Sequence, residues 1–181
     1  MTATLDGRTV AFLLTDGFED SELTSPWSAV IDAGARASLV SPADATITGK
    51  NGHQQPVDVP AATASADDYD ALVLPGGVVN ADHLRTDQDS VAFVRGFVEA
   101  GKPVGVICHG AWILVEAGAV DGRRITSYPS LQTDLRNAGA QWVDEEVVVD
   151  GTLVSSRTPD DLPAFDRAVV DAVAAAGSAA G

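Results

Sequence analysis

Lys102-Pro103-Val104-Gly105-Val106-Ile107-Cys108-His109-Gly110-Ala111-Trp112-Ile113-Leu114 sets the frame for the rest of the chain. Its short apolar run, rich in Val and Ile and bounded by Gly101 and Pro103, predicts a buried strand. Beyond Gly110, the apolar residues Trp112, Ile113, Leu114 and Ala117 suit a short buried helix. Cys108, the only cysteine in the protein, falls at the hinge between the two. A strand that turns abruptly into a helix forces its hinge residue into a tight turn and lifts that side chain over the sheet edge. The unpaired N–H groups and partial positive charge of the helix start favour a thiolate, the reactive form of cysteine. A lone cysteine elsewhere reads as a small buried hydrophobe. Cys-His-Gly at such a hinge reads as a nucleophile.

Working outward, Arg8 to Thr15 is a continuous apolar run of the kind a parallel sheet buries on both faces. Asp16 to Asp20 forms a turn, and a helix from about Ser21 to Ala33 stops at Gly34. Trp27, Val30 and Ile31 recur at helical spacing and should face the sheet, with Pro26 near the first turns. Arg36 to Val40 is a second strand. Asn51-Gly52 marks a tight turn inside a hairpin between Thr46 and Pro60, with His53 as a surface histidine. Ala61 to Asp68 is a short helix or loop, and Tyr69 to Leu74 is a third buried strand closed by Pro75-Gly76-Gly77. Val78 to Leu84 reads as a loop, and Asp87 to Ala100 as an amphipathic helix with Val91, Val94, Phe97 and Val98 inward. A brief strand (124–127), a helix ending at Ala138, a hairpin (145–156) with an Asp-Gly turn, and a closing helix (163–175) complete the chain. Buried strands alternating with helices predict an α/β fold: a flavodoxin-like, doubly wound three-layer sandwich with a mainly parallel sheet and small β-hairpin excursions. It should form one domain over 1–181, ordered from about 8 to 175, with tails at 1–7 and 177–181.

Of the 181 residues, 45% are apolar and 20% charged, the balance of an ordinary globular protein. No apolar run approaches the roughly 20 residues of a membrane span, and the N-terminus lacks a signal-peptide pattern, so a cytoplasmic protein without a membrane partner is expected. The net charge is −15, with only Lys50 and Lys102 as lysines. Such a surface repels phosphate backbones and argues against nucleic-acid binding. One cysteine allows no internal disulfide, and His53, His83 and His109 lack metal-ligand spacing. Neither a GxGxxG loop nor a P-loop lysine is present. The expectation is no cofactor and no metal.

In doubly wound sheets the site lies at the carboxyl ends of the strands. Three features fall there: the acidic turn after the first strand, Gly76-Gly77 after the third, and Cys108. Glu19 and Glu22 either bring a carboxyl group over Cys108, to exchange a proton with the sulfur, or are acids at a helix N-terminus. Gly76 and Gly77 either supply a backbone N–H that forms an oxyanion hole with that of His109, or make a plain turn. His109 could act as a base for Cys108 if an acid such as Asp82 orients it, although adjacent side chains at a sharp turn diverge and most loop acids are only solvated.

Gly17-Phe-Glu-Asp-Ser-Glu22, Leu74-Pro-Gly-Gly77, Gly101-Lys-Pro103, Ile107-Cys-His-Gly110, Asn137-Ala-Gly-Ala140, Glu146-Val-Val-Val-Asp150 and Ser156-Arg-Thr-Pro-Asp-Asp-Leu-Pro163 follow one another in this order. Together they resemble the PfpI family, the intracellular cysteine peptidase-like, general-stress-protein branch of the ThiJ/PfpI superfamily, over essentially the whole chain. The resemblance implies Cys108 as nucleophile, Glu22 as a protonated glutamate over the sulfur with Glu19 beside it, and His109 as the family histidine. It places the acid partner of His109 at Asp82 of an adjacent subunit, so that a homo-oligomer, dimer or hexamer, completes the site. The peptidase-type members carry Glu where this chain has Asp82. Tyr128 and Arg157 match positions near the mouth. Members of the family are peptidases, glutathione-independent glyoxalases or deglycases, and all begin with a thiolate attacking a carbonyl carbon. The expected activity is protective chemistry on small carbonyl compounds or damaged proteins. An intracellular cysteine peptidase and a non-catalytic redox-sensing or chaperone-like stress protein are the alternatives.

Overall fold

The computed structural model describes residues 4–178. The main sheet has seven strands: β1 (Thr9–Leu13), β2 (Arg36–Ser41), β5 (Val59–Pro60), β6 (Ala71–Leu74), β7 (Val104–Ile107), β10 (Val147–Asp150) and β11 (Leu153–Ser156). Their spatial order is β10-β11-β7-β6-β1-β2-β5, and every pairing is parallel except that of β10 with β11. The chain winds outward from β1 through β2 to β5, then returns to the other side of β1 through β6, β7 and β11. The order therefore reverses between β1 and β6, where doubly wound sheets open a crevice at the strand ends. This is the expected flavodoxin-like α/β architecture.

Alternation along the strands explains both helical layers. On β1, Ala11 and Leu13 point into one core, while Val10 and Phe12 point into the other. The first core is covered by α2 (Val78–Thr86), α3 (Gln88–Glu99), α4 (Trp112–Glu116) and α5 (Gln132–Asn137). The second is covered by α1 (Asp20–Asp32) and α6 (Leu162–Ser178). On β7, Gly105 admits α6: a Cβ there would lie 2.7 Å from Val169 and 3.3 Å from the Phe165 ring. A hairpin of β3 (Thr46–Thr48) and β4 (Gln54–Pro56) and a small pair of β8 (Arg124–Ile125) with β9 (Gln141–Trp142) complete the fold.

Several expectations need correction. Val78–Thr86 is a helix, not a loop, with Asn80, Ala81 and Leu84 on its buried face. On α1 the buried stripe runs Glu22, Leu23, Pro26 and Val30, which turns Ile31 out to solvent. Pro26 lies in mid-helix rather than near its start. Phe93 joins Val94 and Phe97 on the inner face of α3, while Val91 and Val98 are only partly buried. The segment expected as an N-terminal tail packs from Leu5, which is buried and donates its N–H to the carbonyl of Ala33 at 2.7 Å. The closing helix extends to Ser178, and residues 179–181 of the expected C-terminal tail lie outside the described residues.

Candidate active site

Three neighbouring strand ends build the site. β1 leads into Glu19 and Glu22, β6 into Gly76 and Gly77, and β7 into Cys108 and His109. Ile107 is extended (φ −132°, ψ 145°) and Cys108 then takes φ 62°, alone among the described non-glycine residues in having a positive φ. A left-handed cysteine is a strained hinge, the geometry of a nucleophile elbow. It is held by its surroundings. The N–H of Tyr128 donates to the Cys108 carbonyl at 3.2 Å, and Gly110 packs so closely that a Cβ would lie 2.5 Å from the Leu74 carbonyl oxygen.

Glu22 is fully buried in the first turn of α1. Its Oε2 accepts the Gly76 N–H at 2.7 Å, and its Oε1 is buried without a hydrogen-bond partner. Gly76 is wedged between the two reactive groups: a Cβ there would lie 2.5 Å from Glu22 Oε2 and 2.8 Å from Cys108 Cβ. Burial pushes the Glu22 carboxyl up to about 7, with the Gly76 N–H and the Cys108 thiol opposing. Burial, and then the charge of Glu22, push the Cys108 thiol up to about 12, against hydrogen bonds from the backbone N–H groups of His109 and Gly77. A helix start by itself favours a thiolate. Desolvation outweighs it here, and the pair instead shares one proton above neutral pH.

Glu22 occupies a core position on its helix and is not an ordinary N-terminal acid. Of the Gly-Gly pair, Gly76 spends its N–H on Glu22, which leaves Gly77 as the residue whose N–H reaches the sulfur beside that of His109. Gly77 takes φ 90°, and a Cβ would lie 2.5 Å from the Gly17 carbonyl oxygen.

The His109 ring is fixed on every side. Its Nδ1 lies 3.3 Å from Cys108 Sγ and its Nε2 lies 3.3 Å from Ser130 Oγ. The Tyr128 ring stacks on it at 4.5 Å between centroids, and Trp112 meets it edge-on at 5.4 Å. Adjacent side chains therefore do not diverge at this turn. Burial, followed by the charge of Lys50, lowers the pKa of the imidazole. Asp82 lies on α2, exposed, and makes no hydrogen bond to His109 within the chain.

Glu19 pairs with Lys50 and accepts from Asn51 Nδ2 at 3.4 Å, which ties the turn after β1 to the hairpin. Arg157 follows Ser156, which pairs in register with Ile107, so it shares the sheet edge with Cys108. Its guanidinium is engaged by both oxygens of Asp161 and by Asp144 at 2.8–2.9 Å. Three residues of this region leave no signal in the sequence. Lys50 arrives on the hairpin, which Asp20 clamps by accepting the N–H groups of Asn51 (2.9 Å) and His53 (2.7 Å). Asn80 is fully buried and ties β1 to the glycine turn, accepting from Thr15 N at 2.7 Å and donating to the carbonyls of Pro75 and Gly76. Ser130 is the third. Among the described residues, no group of three or more His, Cys, Asp or Glu is placed to hold a metal ion, and no helix is long and apolar enough to cross a membrane.

The sequence profile of the DJ-1/PfpI family matches residues 8–172. The chain belongs to the DJ-1/PfpI family. Within it, the chain is 45% identical over 163 residues to protein/nucleic acid deglycase 2 of Escherichia coli, covering 88% of this chain and 94% of that one. It is 44% identical over 161 residues to the putative cysteine protease YraA of Bacillus subtilis, covering 88% and 95%. The fold superposes on that of Schizosaccharomyces pombe DJ-1 with a TM-score of 0.81 at 24% identity, covering 94% of this chain and 97% of that structure. The relatives' names support a cysteine-dependent enzyme, in keeping with the single cysteine of this DJ-1/PfpI protein.

Proposed function

We propose that this DJ-1/PfpI protein converts reactive carbonyl compounds, or the adducts they leave on proteins, by covalent catalysis at Cys108. The observation that carries this reading is a nucleophile elbow with a buried carboxyl of pKa about 7 beside the thiol and two backbone N–H groups aimed at the same place. A carboxyl group with that affinity for a proton exchanges it readily near neutral pH. For methylglyoxal, the Cys108 proton passes to Glu22 as Sγ adds to the aldehyde carbon, and the N–H groups of Gly77 and His109 hold the developing oxyanion. Glu22 returns that proton to the oxygen, giving a hemithioacetal. Its carboxylate then takes the C1 proton to form an enediolate and delivers it to C2, while the hydroxyl proton moves from the C1 oxygen to the C2 oxygen. The product is a lactoyl thioester, which water hydrolyses to lactate and the free thiol. The sequence is redox-neutral overall and needs no cofactor. Deglycation begins with the same addition to the carbonyl carbon.

Amide hydrolysis asks for more: a charged imidazole must protonate a poor leaving group. Burial disfavours the imidazolium here, and among the described residues of a single copy His109 Nε2 has the Ser130 hydroxyl, not a carboxylate, as its hydrogen-bond partner. As the resemblance implies, a homo-oligomer brings Asp82 of a second copy toward His109, and its side chain is one carbon shorter than the Glu of the peptidase-type members, which weakens the peptidase reading further. The net charge of −15 favours small carbonyls and proteins over nucleic acids as substrates.

The test is lactate formation from methylglyoxal without glutathione by the wild type, Cys108→Ser and Glu22→Gln, with casein as the amide control. Lactate lost in both variants supports the reading. Casein cleavage without lactate overturns it in favour of a peptidase.

A further inference from the structure

We propose that Ser127 and Trp142, joined by a hydrogen bond behind the elbow, are positioning residues that aim the His109 N–H at the reacting oxygen. The inference rests on the carbonyl-processing reading for its effect on turnover, since that reading makes the His109 N–H an oxyanion donor. The Cys108 carbonyl and the His109 N–H belong to one planar trans peptide unit and point in opposite directions. Whatever holds the Cys108 carbonyl therefore aims the His109 N–H. The Tyr128 N–H holds it, at 3.2 Å. Such an anchor matters at this hinge, because Cys108 sits at φ 62°, where its own backbone preference does not keep the plane in place.

Tyr128 is in turn fixed from outside the site. Pro129 restricts the backbone of the residue before it, and Tyr128 takes φ −53°, ψ 134°. Its carbonyl accepts the Ser127 hydroxyl at 2.9 Å and the Leu131 N–H at 3.0 Å. The Ser127 oxygen accepts the indole Nε1–H of Trp142 at 3.0 Å. An indole N–H only donates, so the Ser127 hydroxyl proton is left to the Tyr128 carbonyl. Ser127 is fully buried, and Trp142 is partly buried with the Arg136 guanidinium 5.7 Å from its ring. The two arrive on neighbouring strands, Ser127 just after β8 and Trp142 on β9. The Thr126 N–H donates to Ser155 Oγ at 3.0 Å, which ties this pair to β11, the neighbour of β7. Trp142 and Ser127 thus act on the oxyanion donor through Tyr128 and the Cys108 carbonyl.

Trp142→Phe keeps a ring beside Arg136 and removes the indole N–H, and Ser127→Ala removes the hydroxyl. Each should lower kcat for methylglyoxal about tenfold with KM little changed, a part of the roughly 10²–10³ that loss of a whole oxyanion donor costs. Because both break one chain of hydrogen bonds, the double variant should be no slower than Ser127→Ala alone. The His109 N–H also hydrogen-bonds the sulfur, so alkylation of Cys108 by iodoacetamide should slow in both variants, with its pH profile moved to higher pH. The titratable groups facing the sulfur are Glu22 from α1 and His109, with the charge of Lys50 from the hairpin, and neither substitution alters them. Ser127→Ala should also move the indole N–H resonance of Trp142 and leave those of Trp27 and Trp112 in place. Variants that lose stability in urea but keep the kcat and alkylation profile of the wild type overturn the proposal, as does a double variant slower than Ser127→Ala or an unmoved Trp142 resonance. Should Ser127→Ala fail to fold, Trp142→Phe alone carries the kcat and alkylation tests. Alkylation and NMR need no turnover, so absence of lactate in the wild type defeats the carbonyl reading and leaves this test intact.

Discussion

Glu22→Gln separates what the buried carboxyl does for the reaction from what it costs the fold. In the folded protein the group titrates at about 7 instead of its ordinary 4.5, because its fully buried position disfavours the charged form. A folded-state pKa raised above the unfolded one gives stability that is complete below about pH 4.5 and is lost as pH rises through about 7. By pH 8 the loss is about 3 kcal/mol, at ~1.4 kcal/mol for each pH unit that separates the folded and unfolded titrations. Glutamine keeps the shape, accepts the Gly76 N–H through its oxygen and presents an uncharged amide to the sulfur. Equilibrium urea unfolding should therefore show Glu22→Gln more stable than the wild type by about 3 kcal/mol at pH 8, and within about 1 kcal/mol of it at pH 5, where both are neutral. In a domain of this size that corresponds to roughly 6–12 °C in Tm at pH 8. Carbonyl turnover should be lost in the same variant. A gain of the same size at both pH values, or no gain at pH 8, would refute the reasoning, because the carboxylate would then not be the strained form.

Three further outcomes follow from the same geometry. Gly76→Ala places a methyl group 2.5 Å from Glu22 Oε2 and 2.8 Å from Cys108 Cβ; it should lower stability by about 1–3 kcal/mol and abolish turnover, read by unfolding and lactate assays. Arg157→Ala leaves the nearly buried Asp161 carboxylate without its bidentate partner and should cost about 2–4 kcal/mol. Since Arg157 holds Asp161 below the usual carboxylate range, that contribution is present at neutral pH and fades as pH falls toward 4 and below, so the variant and wild type converge in acid unfolding. Asp20→Ala removes the acceptor for the amides of Asn51 and His53 and should speed their hydrogen exchange, while amides of β6 and β7 stay protected.

The strands are readable because a parallel sheet covered on both faces needs unbroken apolar runs, as in Ala71–Leu74 and Val104–Ile107. The hinge at Cys108 is readable for the complementary reason: the run stops abruptly and Gly110 follows. The helix at Val78–Thr86 is hidden because it starts with two β-branched residues and an Asn, poor helix formers, and is launched by the positive φ of Gly77 rather than by a capping side chain. Counting Glu22 as a polar face puts the α1 stripe out of phase and sends Ile31 inward. The polar residue in the core stripe is itself the functional signal. Lys50 and Ser130 reach the site from segments 58 and 22 residues away from Cys108 in sequence. Lys50 is carried there by a hairpin clamped to Asp20, and Ser130 by a 3-10 turn after Tyr128, two placements that leave no periodicity to read.

The central claim, that Cys108 carries the substrate covalently, is tested most directly by quenching the enzyme in acid during methylglyoxal turnover and mapping its peptides by mass spectrometry. The account predicts a lactoyl thioester on the peptide containing Cys108, present while substrate lasts and absent from Cys108→Ser. Steady lactate production with the Cys108 peptide unmodified throughout would contradict it.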